Sequence, residues 1–576
     1  MNGLFDFGSL AASLGRALAE LRGASAATPV DLVVPPRPEH GDVTTNAALV
    51  SAAGTGQKPR DLAAALGERW LAGEGAAICT RFDVAGPGFL NLFLDHSWYR
   101  GALQAILDAG VDYGRGVVPP AQRRRVNVEF VSVNPTGPLH VGHARYAAYG
   151  DALCRLFSFA GHAVTREFYV NDHGTQILKF GQSLAARYGQ HLGLDTPVPD
   201  DGYQGDYLAD LAAELVTEVG ERYREPLNMV VPDVTRLEPE VVDEFKSWGR
   251  DRILAAFRAT LARLRVSFDV WTSEAGLYEG GDVEWRGFRG EVGTALSQMD
   301  AEGHLHDADG AVWLRTTEYG DDKDRVLIRQ TGMPTYFLSD IAYHRDKMDR
   351  GFEHLIDVWG ADHHGYVPRM KAMFAALPPH DPDRLELIIG QLVNLLESGE
   401  TKRMSKRKGD IVTIDDLMDA IGVDAVRFYM VGRSHDSMLE LDLDLAVEQS
   451  SKNPVYYVQY AHARIASILR NAGSEGGEQP PASLPQVDVG PHERALLRTL
   501  ARYPVVISEC VERRAPHRLH AYLGELAAEF HLFYKHCRVL SDDAAATALR
   551  VGLCRATKST LAGGLGLLGV EAPERM

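Results

Sequence analysis

Apolar residues at Leu10, Leu14, Leu18 and Leu21 recur every three or four positions. That spacing predicts an amphipathic helix over residues 4–22 or so. The stretch PPRPEHGDVTTNAALVSAA is read as a loop leading into a second helix, and FDVAGPGFLNLFLD alternates around a Gly-Pro-Gly break as a strand does. A further helix ends near Gly110. The prolines of GRGVVPPAQRR exclude regular structure and close a first α+β domain, residues 1–118.

Beyond that linker, RVNVEFV alternates as a half-buried strand. A loop and a helix that stops near Gly161 follow it, then a second strand, AVTREFYV. Helical periodicity dominates residues 176–265, broken by a Pro/Asp/Gly-rich stretch at 195–206. The runs HLIDVWG and LELIIGQLV are further short strands between helices. Strand–helix alternation on this scale predicts an α/β domain with a parallel, Rossmann-like sheet over 119–449, carrying helical insertions at roughly 185–325. From 450 to 576 only helical patterns remain, which predicts an all-α bundle. Its one long loop, GSEGGEQPPASLPQVDVGP, is acidic and rich in Gly and Pro.

The 576 residues carry a formal net charge of −18. That balance argues against sequence-independent nucleic-acid binding, whose affinity comes from neutralised phosphates, but it leaves room for a local basic face. The five cysteines have no C-x-x-C pairing, which predicts neither a disulfide framework nor a bound zinc, and a reducing, cytoplasmic setting. The N-terminal stretch lacks the basic start of a signal peptide, and no apolar run is long enough to span a membrane.

The first chemistry-bearing motif is LHVGH, residues 139–143, between a Pro/Gly-rich loop and a predicted helix. In open parallel sheets ligands sit beyond the strand ends, where helix N-termini offer N–H groups to phosphate. His140 and His143 are candidates to donate to phosphate oxygens, and Gly142 to admit a nucleoside close to the backbone. The second motif is KRMSKRK, in which five of seven residues from Lys402 to Lys408 are basic. Thr413 and Asp416 after it form a capping-box pattern, with Gly422 at the helix end. Lysines on a loop that reaches a polyphosphate suit nucleotidyl transfer, which needs positioning and charge neutralisation.

Together HVGH and RMSKR resemble the two motifs of class I aminoacyl-tRNA synthetases. The departures are Arg403 and Arg407, where that pattern has Lys and Ser; Lys406 is kept. Further stretches lie in matching order along nearly the whole chain: PEHGDVTTNAAL, GPGFLNLFL, VEFVSVNPTGPLHVGHAR, YVNDHGTQI, FDVWTSE, YFLSDIAYH, VWGADHHGYVPRM, NPVYYVQYAHAR, FHLFYKHCRVL and LLGVEAPERM. They resemble the arginyl-tRNA synthetases.

The resemblance implies a class I catalytic domain flanked by an N-terminal tRNA-binding domain and an anticodon-binding bundle. It implies ATP and Mg2+ with His140, Gly142, His143, Met404, Ser405 and Lys406 at the nucleotide, of which His140, His143 and Lys406 are catalytic. Arginine would meet Ser132, Asn134, His143, Glu274, Tyr336, Asp340 and either Asp362 or His363. A guanidinium needs carboxylates placed for forked hydrogen bonds. Tyr336 and Asp340, four apart, would share one helix face. Phe89 and Asn91 would face the D-loop of the tRNA, and Tyr460, Arg464, Tyr534 and Met576 its anticodon. The implied partners are tRNA, L-arginine and ATP, with no DNA or membrane, and the chain is expected to be a monomer. A glutamate- or glutamine-specific relative would want a basic residue where Glu274 and Asp340 stand, and a cysteine-specific one would want thiolate zinc ligands.

Overall fold

The computed structural model describes residues 4–53, 56–401, 412–473 and 484–576. The basic motif, with Met404, Ser405 and Lys406, lies outside the described residues, as does most of the long acidic loop in the C-terminal part. By internal contacts the chain forms two compact units, one of Pro120–Ser158 and His162–Val447, the other of Met1–Pro119, Phe159–Gly161 and Glu448–Met576.

The first of these is built on a five-stranded parallel sheet. Its strands run in the order Leu385–Gly390, His354–Gly360, Arg125–Glu129, Ala163–Val170, Val270–Ser273. The chain starts at the central strand Arg125–Glu129, winds outward to one edge, then crosses to the other side. That reversal opens a crevice at the carboxyl ends of Arg125–Glu129 and His354–Gly360, the usual ligand position in such a sheet. Strand residues Val126, Val128, Leu355 and Ile356 are buried. The helix Val141–Ala160 carries the chain from the first strand to the second.

Between the second and third strands stand the helices Thr175–His191, Tyr207–Val219, Arg224–Asn228 and Pro239–Arg263. The insertion expected to be helical to about 325 is not so throughout. After the helix Gly290–Ala301 come three short antiparallel strands, Leu305–Ala308, Ala311–Leu314 and Arg325–Ile328. Each spans four residues, too few to display a period. The first two are joined by Asp309 and Gly310, at φ 52° and 74°, the left-handed pair that a two-residue hairpin turn demands. Leu338, Ile341 and Ala342 bury the inner face of the helix Tyr336–Asp349 against this part of the core.

In the other unit, FDVAGPGFLNLFL forms two strands and not one. Cys79–Ala85 and Phe89–Leu94 pair antiparallel, and Val43–Thr45 adds to the second. Gly86, at φ 52°, and Gly88, at φ 144°, reverse the chain between them. Helices Phe7–Arg22, Pro59–Leu71 and His96–Ala109 surround this sheet, as periodicity predicts. The C-terminal part is helical: Pro454–Asn471, Pro491–Ala501, Tyr503–Glu512, Pro516–His536 and Ala544–Leu567. Asp42 ties the two parts together. It is buried and accepts from Tyr99 Oη at 2.6 Å, the Leu94 N–H at 2.8 Å and Arg498 at 2.9 Å.

Candidate active site

The crevice of the parallel-sheet unit is a cleft of about 970 Å³. Ser132, Asn134, His140, Gly142, His143, Glu274, Tyr336, Asp340, Asp362 and His363 all line it. The sequence reading left Asp362 and His363 as alternatives; both stand on the wall, in the short helical turn Ala361–Tyr366 that follows the strand His354–Gly360.

The loop after the central strand is tightly bent. Ser132 N–H donates to the Phe130 carbonyl at 3.0 Å, closing a three-residue turn around Val131. Val131 is buried at φ 71° and Ser132 sits at φ 34°. A β-branched residue in the left-handed region is strained, and such strain concentrates at functional loops. Ser132 Oγ accepts from the Tyr169 N–H at 3.0 Å, fastening the loop to the neighbouring strand.

His140 and His143 stack with ring centroids 3.6 Å apart. The Gly142 N–H donates to His140 Nδ1 at 3.1 Å, and the His140 N–H to His143 Nδ1 at 3.2 Å. A neutral imidazole whose Nδ1 accepts carries its proton on Nε2, so both rings present Nε2–H as the donor. A Cβ on Gly142 would lie 2.9 Å from His140 Cε1; the glycine is required by the histidine folded over it. The backbone on either side is stitched to a distant segment. Val141 N–H donates to the Val412 carbonyl and Ile414 N–H to the Leu139 carbonyl, both at 3.0 Å. Val412 is the first described residue after the basic motif, and the helix Ile414–Ile421 begins there with the capping box of Thr413 and Asp416.

The other end of the cleft is acidic. Glu274 is 2% exposed, and its Oε2 has no hydrogen-bond partner among the described residues. Burial pushes its pKa up to about 7; the Ser339 hydroxyl opposes this, and the Asp340 and Asp172 carboxylates add to it. Its position is set by the backbone, with Glu274 N–H donating to the Val170 carbonyl at 3.0 Å. On either side of it, Ser273 Oγ and the Ala275 N–H both donate to Asp172. Burial also raises Asp340, against a hydrogen bond from Tyr366 Oη at 2.7 Å. Two carboxylates, one without a full set of partners, form a receptacle for a cation with several donors.

The sequence reading missed the floor. Glu129, His344 and Asp357 line the cleft, and the fully buried Lys347 joins them. Lys347 Nζ reaches Glu129 at 2.6 Å and Asp357 at 3.0 Å. His344 Nδ1–H donates to the Asp340 carbonyl at 2.7 Å, and its Nε2 meets Asp357 Oδ2 at 2.8 Å. Burial alone would raise Asp357, yet Lys347 and His344 hold it at about 2. These acids are therefore engaged, and the receptacle is left to Glu274 and Asp340. The spacing of His344 and Lys347 behind Asp340 on one helix was the available signal. Tyr146 was missed as well; it lines the cleft and donates to the Gly390 carbonyl at 3.2 Å.

In the second unit Tyr460, Arg464 and Tyr534 come together. Arg464 lies 5.2 Å from the centroid of Tyr460 and 5.0 Å from that of Tyr534. With Tyr457, His531 and Lys535 they border a hollow of about 490 Å³. The C-terminal segment is tied down: Gln459 donates to the Glu571 carbonyl, His462 to that of Pro573, and Lys558 to Glu574. Met576 itself is exposed. Of the other pair, Phe89 is exposed and Asn91 is buried.

Three family models match successive parts of the chain. Residues 103–467 match the family model described as tRNA synthetases class I (R), catalytic domain; residues 8–94 match the arginyl tRNA synthetase N-terminal domain; and 458–576 match the DALR anticodon binding domain. The fold and its cleft are those of a class I aminoacyl-tRNA synthetase. Arginine–tRNA ligase of Syntrophotalea carbinolica is 45% identical over 551 residues, covering 95% of each chain. That of Geobacillus kaustophilus is 45% identical over 550 residues, covering 95% of this chain and 94% of its own. The Thermus thermophilus arginyl-tRNA synthetase structure shares the fold, with a TM-score of 0.74 at 24% identity, across 99% of this chain and all of that one. The chain belongs to the arginyl-tRNA synthetase family, enzymes that use ATP to join arginine to tRNA.

Proposed function

We propose that the cleft binds L-arginine with its guanidinium at Glu274 and Asp340 and ATP with its phosphates at the two imidazoles. The observation that carries this is an acid pair, Asp340 beside the buried Glu274 with its unpartnered oxygen, in the same cleft as two stacked imidazoles whose Nδ1 atoms accept backbone N–H groups. Asn134 and Ser132 hold the amino-acid head, Tyr336 covers the side chain, and Asp362 and His363 complete the wall. A carboxylate oxygen of arginine attacks the α-phosphorus of ATP, and pyrophosphate leaves with the electron pair of the broken P–O bond. His140, His143 and Lys406 stabilise the charge that builds on the phosphoryl oxygens, with Mg2+ carried on the phosphates of ATP. The 2′-hydroxyl of the terminal adenosine of tRNA then attacks the carbonyl carbon and AMP departs, so no side-chain nucleophile is required.

Phe89 is assigned to the D-loop, with the buried Asn91 supporting the strand that presents it, and Tyr460, Arg464, Tyr534 and Met576 are assigned to the anticodon. Two aromatic rings beside a guanidinium, that of Tyr534 exposed and that of Tyr460 half-buried, support the second assignment, since unpaired loop bases are read by stacking. The enzyme is read as a cytoplasmic monomer of three domains, 1–118, 119–449 and 450–576. Among the described residues no helix is long and apolar enough to cross a membrane.

The test is radiolabelled pyrophosphate exchange with each of the twenty amino acids, with and without tRNA. Exchange is expected with arginine alone and, as the family implies, only when tRNA is present. Exchange supported by lysine or a neutral amino acid at a comparable rate would overturn the assignment of the acid pair.

A further inference from the structure

Tyr169, the last residue but one of the strand Ala163–Val170, has been given no part in the site so far. Its side chain lines the cleft and is only 6% exposed. Its Oη, like Glu274 Oε2, has no hydrogen-bond partner among the described residues. The carboxylates that act most strongly on it are Glu274, Asp340 and Glu129, so the phenol stands among the acids of the receptacle and its floor. Its position is fixed on three sides. The N–H donates to Ser132 Oγ, the backbone pairs with Thr272 of the next strand, and the ring lies against Tyr343 with centroids 4.5 Å apart.

A buried hydroxyl without a partner is costly, and a fold that holds one rigidly beside two carboxylates presents it to a ligand. A guanidinium has five N–H donors in one plane and no acceptor. Two carboxylates take up to four of them, and a third would add charge that burial opposes. A phenol oxygen is a neutral acceptor, and its own proton is able to turn to Glu274. An ammonium offers its three donors from a single nitrogen and does not span acceptors spread around a planar fork.

Resting on the arginine reading above, we propose that Tyr169 is a specificity-determining residue, its phenol oxygen accepting an N–H of the substrate guanidinium between Glu274 and Asp340.

The test is Tyr169→Phe, studied by steady-state arginylation of tRNA and by thermal melting with and without L-arginine. The KM for arginine is expected to rise by about ten- to a hundredfold, as for a lost hydrogen bond to a charged group. The KM for ATP is expected to stay within about twofold. Without arginine, Tm is expected to be unchanged or higher, because an unsatisfied buried hydroxyl has been removed, while the rise in Tm on adding L-arginine shrinks. An unchanged KM for arginine overturns the proposal. A fall in the ligand-free Tm also does so, since it makes the hydroxyl structural. If the wild-type chain shows neither a Tm rise with L-arginine nor arginylation, it is the function proposed above that fails, whatever the variant does.

Discussion

Glu274 enters the cleft half-ionised at neutral pH, because burial and two neighbouring carboxylates disfavour its charge. A guanidinium favours that charge, so arginine binding expels the proton. The sign follows: below about pH 7 the free enzyme holds Glu274 neutral, and arginine must bind against that protonation. The kcat/KM for arginine is expected to fall toward acid by up to about tenfold per pH unit below about 7, with the same limb missing for ATP. Glu274→Gln should lose the limb along with most of the affinity; an acid limb that survived in that variant would assign it to another group. At this scale the sequence was informative where a motif's chemistry gave a residue a role. His140, His143, Glu274, Tyr336 and Asp340 were placed in that way, and all line the cleft. Glu129, His344, Lys347 and Asp357 were not. Glu129 and His344 lie inside quoted motifs that gave them no role, Lys347 and Asp357 lie just outside them, and only the fold brings Lys347 between two acids 218 and 10 positions away.

Among the elements, those of full length were legible. AVTREFYV and HLIDVWG are the strands Ala163–Val170 and His354–Gly360, and the capping box at Thr413 forms as its spacing predicts. The four-residue strands after Ala301 were not, although Asp309-Gly310 carried a hairpin turn in plain view. The strained turn at Val131 could not be read at all, since nothing in a valine announces a positive φ. Thr413 supplies the prediction at this scale. Its Oγ1 accepts from the Asp416 N–H at 3.0 Å. Thr413→Ala is expected to weaken the start of that helix by about 1 kcal/mol, which hydrogen exchange would read as roughly fivefold faster opening at the Asp416 amide. Unaltered exchange there would mean the cap contributes nothing.

For the whole molecule, the sequence suggested three successive domains, and the motif order along the chain agreed with the family. It did not foretell that residues 1–119 and 448–576 would group into one compact unit, because pairings across some 400 positions leave no periodicity to detect. Asp42 is central to that grouping. Asp42→Ala strands a half-buried guanidinium and a buried phenol, and is expected to lower the stability of this unit by about 3 kcal/mol. A calorimetric scan should show it as a downward shift of one transition, while arginine-dependent stabilisation of the parallel-sheet unit persists; coincident loss of both would mean the units do not melt separately.

The pair of backbone hydrogen bonds joining Leu139 and Val141 to Ile414 and Val412 has a kinematic meaning as well. Residues some 270 positions apart in the chain meet in a single joint, so parting them means breaking both bonds. The helix that starts at Ile414 is thereby coupled to the backbone that carries the two imidazoles, and a tilt of the one is expected to be felt by the other.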